Sequence, residues 1–174
     1  MGIAAGLWSN EVKPKEGPIM TEITITTVAS QPYLYVERAT GMDSAEVGPA
    51  VNSGLGEVYA HMQGNGVPPA GSALVLYTSN DGKVMTYHVG FEISPEDMDK
   101  GHDQIKAGET PSGKVLTAIH KGSYAGIKAT YGALMAHMKA EGLEPGGMCW
   151  ELYLNDPSGT PEDQLRTQIF FQIK

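Results

Sequence analysis

One stretch of sequence that occurs twice decides the fold: AHMQGNGVPPAGSALVLY at residues 60–77 and AHMKAEGLEPGGMCWELY at residues 136–153. Aligned without a gap, so that Ala60 matches Ala136 and Tyr77 matches Tyr153, the copies share A, H, M, G, P, G, L and Y, eight of 18 positions. Residue frequencies of about 5 to 9% each would give roughly one chance identity. The chain therefore contains an internal duplication, and each copy should form one structural module.

The first half is predicted to fold as strand, helix, strand, strand. A β-branched run at residues 23–38, interrupted at Pro32, predicts the first strand. Gly48 and Pro49 are expected to begin the helix. Two further strands should flank a turn at residues 79–82. The expected buried stripe of the helix is Val51, Leu55, Tyr59 and Met62.

The second half repeats this order. A strand at residues 114–120 precedes a helix that Ser123 should cap and Gly142 should end. The last hairpin is predicted from residues 148–154 and 165–173. The expected buried stripe of this helix is Ile127, Tyr131, Leu134 and Met138. The fold class is thus α+β with two antiparallel sheet halves.

The domain organisation follows from these modules. Residues 1–20 are expected to be a flexible N-terminal extension, and residues 21–174 one domain with modules at about 21–93 and 112–174. The polar stretch 94–112 should be the connection between the modules.

Composition excludes several classes of function. The chain has 20 acidic and 12 basic residues and a formal charge of −8, so phosphate backbones repel it and direct binding of nucleic acid is not expected. A single cysteine, Cys149, rules out a disulfide within the chain and suggests a cytoplasmic location. No apolar run approaches the roughly 18 residues of a membrane span. The histidines show no zinc-ligand spacing, so neither a metal nor a cofactor is expected.

Alternation along the strand at residues 148–154 separates two faces. Met148, Trp150, Leu152 and Leu154 form an apolar face that should pack under the helices. The other face carries Cys149, Glu151 and Tyr153.

The repeat and the hairpin partners extend this second face. Val75 stands where Glu151 stands in the other copy, and Tyr77 matches Tyr153. If Phe91 and Phe171 belong to the core, His88 and Phe170 also point to the second face. The candidate ligand-binding residues are therefore Glu151, Tyr153, Tyr77, Phe170, His88, Val75 and Cys149.

A carboxylate among aromatic rings has a specific chemical meaning. When it is desolvated it attracts a cation, and aromatic faces attract cations as well. The pattern therefore favours a site for flat, lipophilic cations. The alternative is that Glu151 lies on the solvated face of a one-sided sheet.

The order of several short motifs in the second half resembles the GyrI-like family of small-molecule-binding domains, also found as effector-binding parts of multidrug-sensing transcription regulators. These motifs are IHKGSY at 119–124, GL at 142–143, WELY at 150–153, NDP at 155–157 and RTQIF at 166–170. The resemblance covers about residues 22–174 and is densest in the second half.

The resemblance implies two modules related by a pseudo-twofold axis, with a ligand groove where they meet. It also implies that Glu151 lies in this groove facing cationic lipophilic ligands and that Tyr153 lines it. The regulators carry a helix-turn-helix before this domain. The stretch that precedes the domain here is too short to form one, so direct transcriptional control is not expected.

Several functions remain open at this stage. The leading interpretation is stand-alone binding of hydrophobic, often cationic, aromatic molecules, as in multidrug or xenobiotic recognition. Some members of the resembled family are instead hydrolases that open the cyclopropane of DNA-alkylating compounds. In that case Glu151 would be the general acid/base, and Tyr153 would donate a hydrogen bond to the substrate. Inhibition of a protein partner such as gyrase has no motif to support it, and haem binding lacks a well-placed axial histidine.

Overall fold

The computed structural model describes residues 20–174. The predicted flexible extension at residues 1–20 thus lies almost wholly outside the described residues. The elements, in chain order, are β1 (Thr24–Val28), β2 (Pro32–Gly41), α1 (Ser44–Gly64), β3 (Ala73–Asn80), β4 (Val84–Glu92), β5 (Ile105–Glu109), β6 (Gly113–Lys121), α2 (Ile127–Ala140), β7 (Pro145–Tyr153) and β8 (Arg166–Ile173).

The strands form one open antiparallel sheet of eight strands in the order β1-β6-β8-β7-β3-β4-β2-β5. The order β2-α1-β3-β4 in the first half recurs as β6-α2-β7-β8 in the second. This confirms the predicted α+β class with two antiparallel sheet halves.

The two halves exchange their edge strands. β1, which precedes the first half, pairs with β6 of the second, and β5, which precedes the second half, pairs with β2 of the first. The predicted single strand at residues 23–38 is therefore two strands at different places in the sheet. The predicted connection at 94–112 also contains a strand, β5, which the sequence did not predict. Its sequence IKAGE is short and half polar, so only its pairing with β2 makes it a strand.

The pseudo-twofold axis passes through the pairing of β3 with β7. Val75 is paired with Glu151, and the flanking pairs are Ala73 with Tyr153 and Tyr77 with Cys149. The alignment of the two copies also matches Val75 with Glu151, so the symmetry maps this central pair onto itself. A buried apolar residue and a carboxylate at equivalent positions of the copies are therefore direct neighbours at the centre of the sheet.

The two helices end in the same way, which explains why both copies have a glycine at this point of the repeat. Gly66 and Gly142 adopt positive φ angles of 67° and 63° just after the two helices. The residue after each glycine donates its N–H to the carbonyl of Met62 or Met138, at 2.9 Å in both copies. Glycine adopts this left-handed conformation without a steric penalty.

The first helix begins earlier than its sequence indicated. α1 starts at Ser44, and the side chain of Asp43 accepts a hydrogen bond from the Ala45 N–H at 3.0 Å. The predicted start at Gly48 and Pro49 was wrong, because Asp43 caps the helix and Pro49 lies inside it.

Both helices pack on the same face of the sheet, which we call the helix face. α1 contributes Val47, Val51, Leu55, Val58 and Met62, and α2 contributes Ile127, Thr130, Leu134 and Met138. Tyr59 was predicted on the buried stripe but is 44% exposed, because Val58 occupies the core side instead.

The helix face is the one that carries Glu151, which reverses the prediction. Val75, Tyr153 and Ile169 belong to the same hydrophobic cluster as the helices. Trp150, predicted to lie under the helices, instead joins a second cluster on the opposite face, which we call the far face. Its other buried members are Tyr33, Leu74, Leu76, Val115 and Phe170. Alternation separated the two faces correctly, but both are apolar enough to be buried.

Two glycines on α1 provide a matched test of this packing. A Cβ on Gly54 would lie 3.1 Å from side-chain atoms of Val36 and Val89, whereas one on Gly56 meets nothing within 4 Å. Gly54→Ala should lower the free energy of unfolding by about 1–3 kcal/mol through overpacking. Gly56→Ala should raise it by up to about 1 kcal/mol through helix propensity. Urea denaturation measures both, and equal effects would contradict the close approach of α1 at Gly54.

Candidate functional site

Three tyrosine hydroxyls hold the carboxylate of Glu151 beneath the helices. Oε1 accepts a short hydrogen bond from Tyr131 of α2 and a second bond, of 3.3 Å, from Tyr77 of β3. Oε2 accepts a bond of 2.9 Å from Tyr153 of β7. Glu151 itself is only 1% exposed. The solvated position considered as an alternative is therefore wrong.

A second ring of aromatic side chains fixes these tyrosines. Tyr131 meets Phe171 edge to face at 5.7 Å, and Tyr124 meets Tyr153 in the same manner, also at 5.7 Å. Such edge contacts are a preferred geometry of aromatic pairs. The hydroxyls around Glu151 are thus held by packed rings.

The electrostatics of the site follow from burial. Burial raises the pKa of Glu151, and the hydrogen bonds from Tyr131, Tyr153 and Tyr77 oppose this rise. Burial and the nearby carboxylate together raise the pKa of each of these tyrosines well above its usual value, so they remain neutral donors. Within residues 20–174, no lysine, arginine or histidine forms an ion pair with Glu151. The site is therefore a buried carboxylate without a protein cation.

A groove beside α2 borders two of the tyrosines that hold this carboxylate. One cavity of about 540 Å³ is lined by Tyr77 and Tyr131, whose hydroxyls reach Glu151. A neighbouring cavity of about 340 Å³ continues it towards the end of α2. The two cavities share Met135, Gly147, Cys149 and Phe171. We call the combined space the α2 groove.

Methionines dominate the wall of the α2 groove. Five of the nine methionines of the chain line it: Met42, Met85, Met135, Met138 and Met148. Met135 is 60% exposed and Met42 46% exposed. Methionine is flexible and polarisable, so such a wall adapts to ligands of different shape.

Five of the seven candidate residues lie together on the helix face. Glu151 accepts hydrogen bonds from Tyr153 and Tyr77, and Val75 pairs with Glu151 across the strands. Cys149 lines both parts of the α2 groove. Burial and the carboxylate raise the pKa of its thiol to about 12, so it stays protonated and suits a packing role.

The other two candidates, His88 and Phe170, lie on the far face. The His88 ring stacks on Tyr35 at 3.7 Å, and its Nδ1 is 2.7 Å from the Tyr33 hydroxyl. Phe170 stacks on Trp150 at 4.9 Å. The prediction that they share the face of Glu151 was wrong, because their registers place them opposite Leu76 and Trp150.

Sequence reasoning missed Tyr131 as a site residue. Its position on the helix stripe suggested a core role only. The signal was in the repeat, because the alignment that matches Glu151 with Val75 also matches Tyr131 with Leu55. Tyr131 and Glu151, which are joined by a hydrogen bond, therefore both correspond to apolar residues in the first module.

The described residues form neither a metal-ligand cluster nor a membrane-spanning helix. Between residues 20 and 174, no three His, Cys, Asp or Glu side chains come together in a way that could hold a metal ion. No helix in the described part of the chain is both long and apolar enough to cross a membrane.

The fold and the groove define a duplicated α+β domain with a ligand-sized cavity. A sequence model of the GyrI-like small molecule binding domain matches residues 21–174, and the chain belongs to this family. No curated protein sequence matches the chain.

Solved structures share the fold at low sequence identity. The C-terminal domain of EcmrR is 17% identical with a TM-score of 0.68, over 88% of this chain and 97% of that one. SAV2435, solved bound to tetraphenylphosphonium, is 13% identical with a TM-score of 0.63, over 88% and 94%. A hydrolase encoded by lin2189 from Listeria innocua is 15% identical with a TM-score of 0.54, over 88% and 92%.

The raised pKa of Glu151 predicts how stability depends on pH. An unfolded glutamate titrates near pH 4.3, whereas the folded carboxyl titrates higher, so the wild type loses stability as pH rises between these two values. Glu151→Gln cannot ionise and escapes this loss. The stability of Glu151→Gln relative to wild type should therefore increase from about pH 4 to about pH 8. Urea denaturation of both proteins at these two pH values measures their free energies of unfolding. If the difference between the two proteins is the same at both pH values, the raised pKa of Glu151 is contradicted.

Proposed function

We propose that this protein binds hydrophobic, often cationic, aromatic small molecules in the α2 groove, with Glu151 as the negative charge beneath them. The observation that carries the proposal is the buried carboxylate with no cationic partner among the described residues. A buried charge is costly unless it is paired. A bound cation supplies the missing charge.

The side chains between the groove and the carboxylate suit such a ligand. A cation in the groove first meets the rings of Tyr77 and Tyr131, and aromatic faces attract cations by about 0.5–2 kcal/mol. The charge of Glu151 lies behind their hydroxyls in a medium of low dielectric, where it acts more strongly than in water. The methionine wall provides the apolar contact area.

Similarity to known structures supports this chemistry. SAV2435 shares the fold and was solved with tetraphenylphosphonium, which is a lipophilic aromatic cation. Membership of a small-molecule-binding family supports the groove as the place of binding.

Binding of tetraphenylphosphonium, followed by isothermal titration calorimetry, tests the proposal. Glu151→Gln should weaken binding about tenfold, which corresponds to about 1.4 kcal/mol. Glu144→Gln is a matched control, because Glu144 is exposed and pairs with Lys174.

The affinity of the wild type for tetraphenylphosphonium should rise with pH as Glu151 ionises, since a cation binds the charged carboxylate better than the neutral acid. Equal affinities of wild type and Glu151→Gln would contradict the proposal that the charge of Glu151 contributes to binding.

Hydrolysis of a reactive electrophile is the second candidate function. A carboxyl with a raised pKa is suited to general acid/base catalysis near neutral pH, and Tyr153 donates to its Oε2 at 2.9 Å. The similarity to the Listeria innocua hydrolase supports this candidate. Glu151 does not line the groove, so it would take the proton of the attacking water through the Tyr77 or Tyr131 hydroxyl. The water oxygen would attack the cyclopropane carbon, the breaking C–C bond would leave its electron pair on the activated ring, and the ring would then take up the proton.

Incubation with a cyclopropane-bearing DNA-alkylating compound distinguishes the two functions. Hydrolysis adds one water to the compound, which mass spectrometry detects. Glu151→Gln should abolish turnover, and Tyr153→Phe should reduce it. If the wild type converts no more of the compound than Glu151→Gln does, hydrolysis is excluded and binding remains the proposed function.

A further inference from the structure

The wall that α2 contributes to the α2 groove has a gap in it. Lys128, Tyr131, Gly132 and Met135 are the residues of this helix that line the larger cavity. They are three or four positions apart, so they share one side of the helix. Lys128 and Met135 lie two turns apart, which is about 10.5 Å along the helix axis. Gly132 between them has no side chain, and we call the resulting space the Gly132 notch.

No described part of the protein fills the Gly132 notch. A Cβ on Gly132 would meet nothing within 4 Å. Gly54 on α1 is different, because a Cβ there would lie 3.1 Å from side-chain atoms of Val36 and Val89. Close packing therefore requires a glycine at 54 but not at 132. The space at Gly132 is free for a ligand.

The first module contains a second glycine with the same surroundings on its helix. The alignment of the two copies matches Gly56 with Gly132. A Cβ on Gly56 would also meet nothing within 4 Å, but Gly56 lines neither part of the α2 groove. The two positions share a helical backbone and room for a side chain. They differ in whether that room belongs to the groove.

The Gly132 notch adjoins the part of the groove nearest to Glu151. Tyr131 directly precedes Gly132, and its hydroxyl donates a hydrogen bond to Glu151. Met135 bounds the other side of the notch on the same wall. Aromatic rings and thioethers both make favourable contacts with an aryl ring. A ligand ring in the notch can thus pack on both residues while its positive centre stays near the carboxylate.

We propose that the Gly132 notch is a subsite for one aryl ring of a bulky, non-planar cation, and that Gly132 sets the size of ligand that the groove accepts. The proposal rests on the function proposed above and names its ligand class more closely. In a non-planar cation several rings point away from one positive centre. One ring then enters the notch while the others contact the methionine wall.

A larger side chain at position 132 fills this subsite. Long side chains on a helix point back over the preceding turn. At position 132 this is the turn between Lys128 and Tyr131, where the notch lies. Gly132→Leu therefore places its side chain where the ligand's ring would lie. Leucine also favours a helix more than glycine does, so the variant should be at least as stable as the wild type.

Tetraphenylphosphonium and methyltriphenylphosphonium provide a matched pair of probes. Both carry one positive charge on phosphorus, but the second has a methyl group in place of one ring. Isothermal titration calorimetry measures the affinity of each cation for wild type, Gly132→Leu and Gly56→Leu. Urea denaturation of the three proteins shows that a loss of binding does not come from unfolding.

The wild type should bind tetraphenylphosphonium more tightly than methyltriphenylphosphonium. Gly132→Leu should reduce this preference about tenfold, the lower end of the discrimination that an apolar pocket achieves by size. Gly56→Leu should retain it. Gly132→Ala adds a single methyl group and should have a smaller effect than Gly132→Leu.

Two results overturn the inference while leaving the proposed function intact. One is an unchanged ratio of the two affinities in Gly132→Leu, with both cations still dependent on Glu151. The other is an equal reduction of the ratio in Gly56→Leu, which would trace the effect to the helix rather than to the groove. If neither cation binds to the wild type, both this inference and the proposed function fail.

Discussion

The candidate site depends on how the surrounding structure holds one buried carboxylate. Glu151 lies at the centre of an eight-stranded sheet, under two helices, without a protein cation among the described residues. Its oxygens instead accept three hydroxyl hydrogen bonds, from Tyr77 on β3, Tyr131 on α2 and Tyr153 on β7. Hydrogen bonds to the charged form offset part of the cost of desolvation. Because the donors come from different elements, the carboxylate is satisfied only when the central strands and α2 have their native arrangement.

Duplication explains why there is one such site. The pseudo-twofold axis places Val75 opposite Glu151, and the same repeat alignment relates Leu55 to Tyr131. In the first module both positions are buried and apolar, and α1 is close to the sheet at Gly54. In the second, a tyrosine and a carboxylate occupy them, and a groove opens beside α2. These two paired differences make the second half of a symmetric scaffold polar where the first half is apolar.

The sequence predicted the modules because the repeat, the helix-ending glycines and the strand alternation are local signals. It did not predict which side of the sheet the helices cover, since Trp150 and Leu152 on one side are as apolar as a core requires. His88 and Phe170 were misplaced for the same reason: strand pairing fixes their side, and pairing is a long-range property. β5 was not predicted because a short edge strand is defined by the strand it pairs with, here β2. Tyr131 could have been found from the repeat by comparing the helices as closely as the strands.

The position in the first module that corresponds to Glu151 shows that the fold itself does not require the carboxylate. Val75 occupies the symmetry-related place on the same kind of strand and is fully buried, so an apolar side chain satisfies this backbone. Glu151 therefore imposes a desolvation cost that an apolar residue would avoid. Residues that break the local rules of a fold mark functional sites more often than structural ones. Under the proposed function, a cationic ligand in the α2 groove would offset that cost from the other side of the aromatic rings that separate Glu151 from solvent.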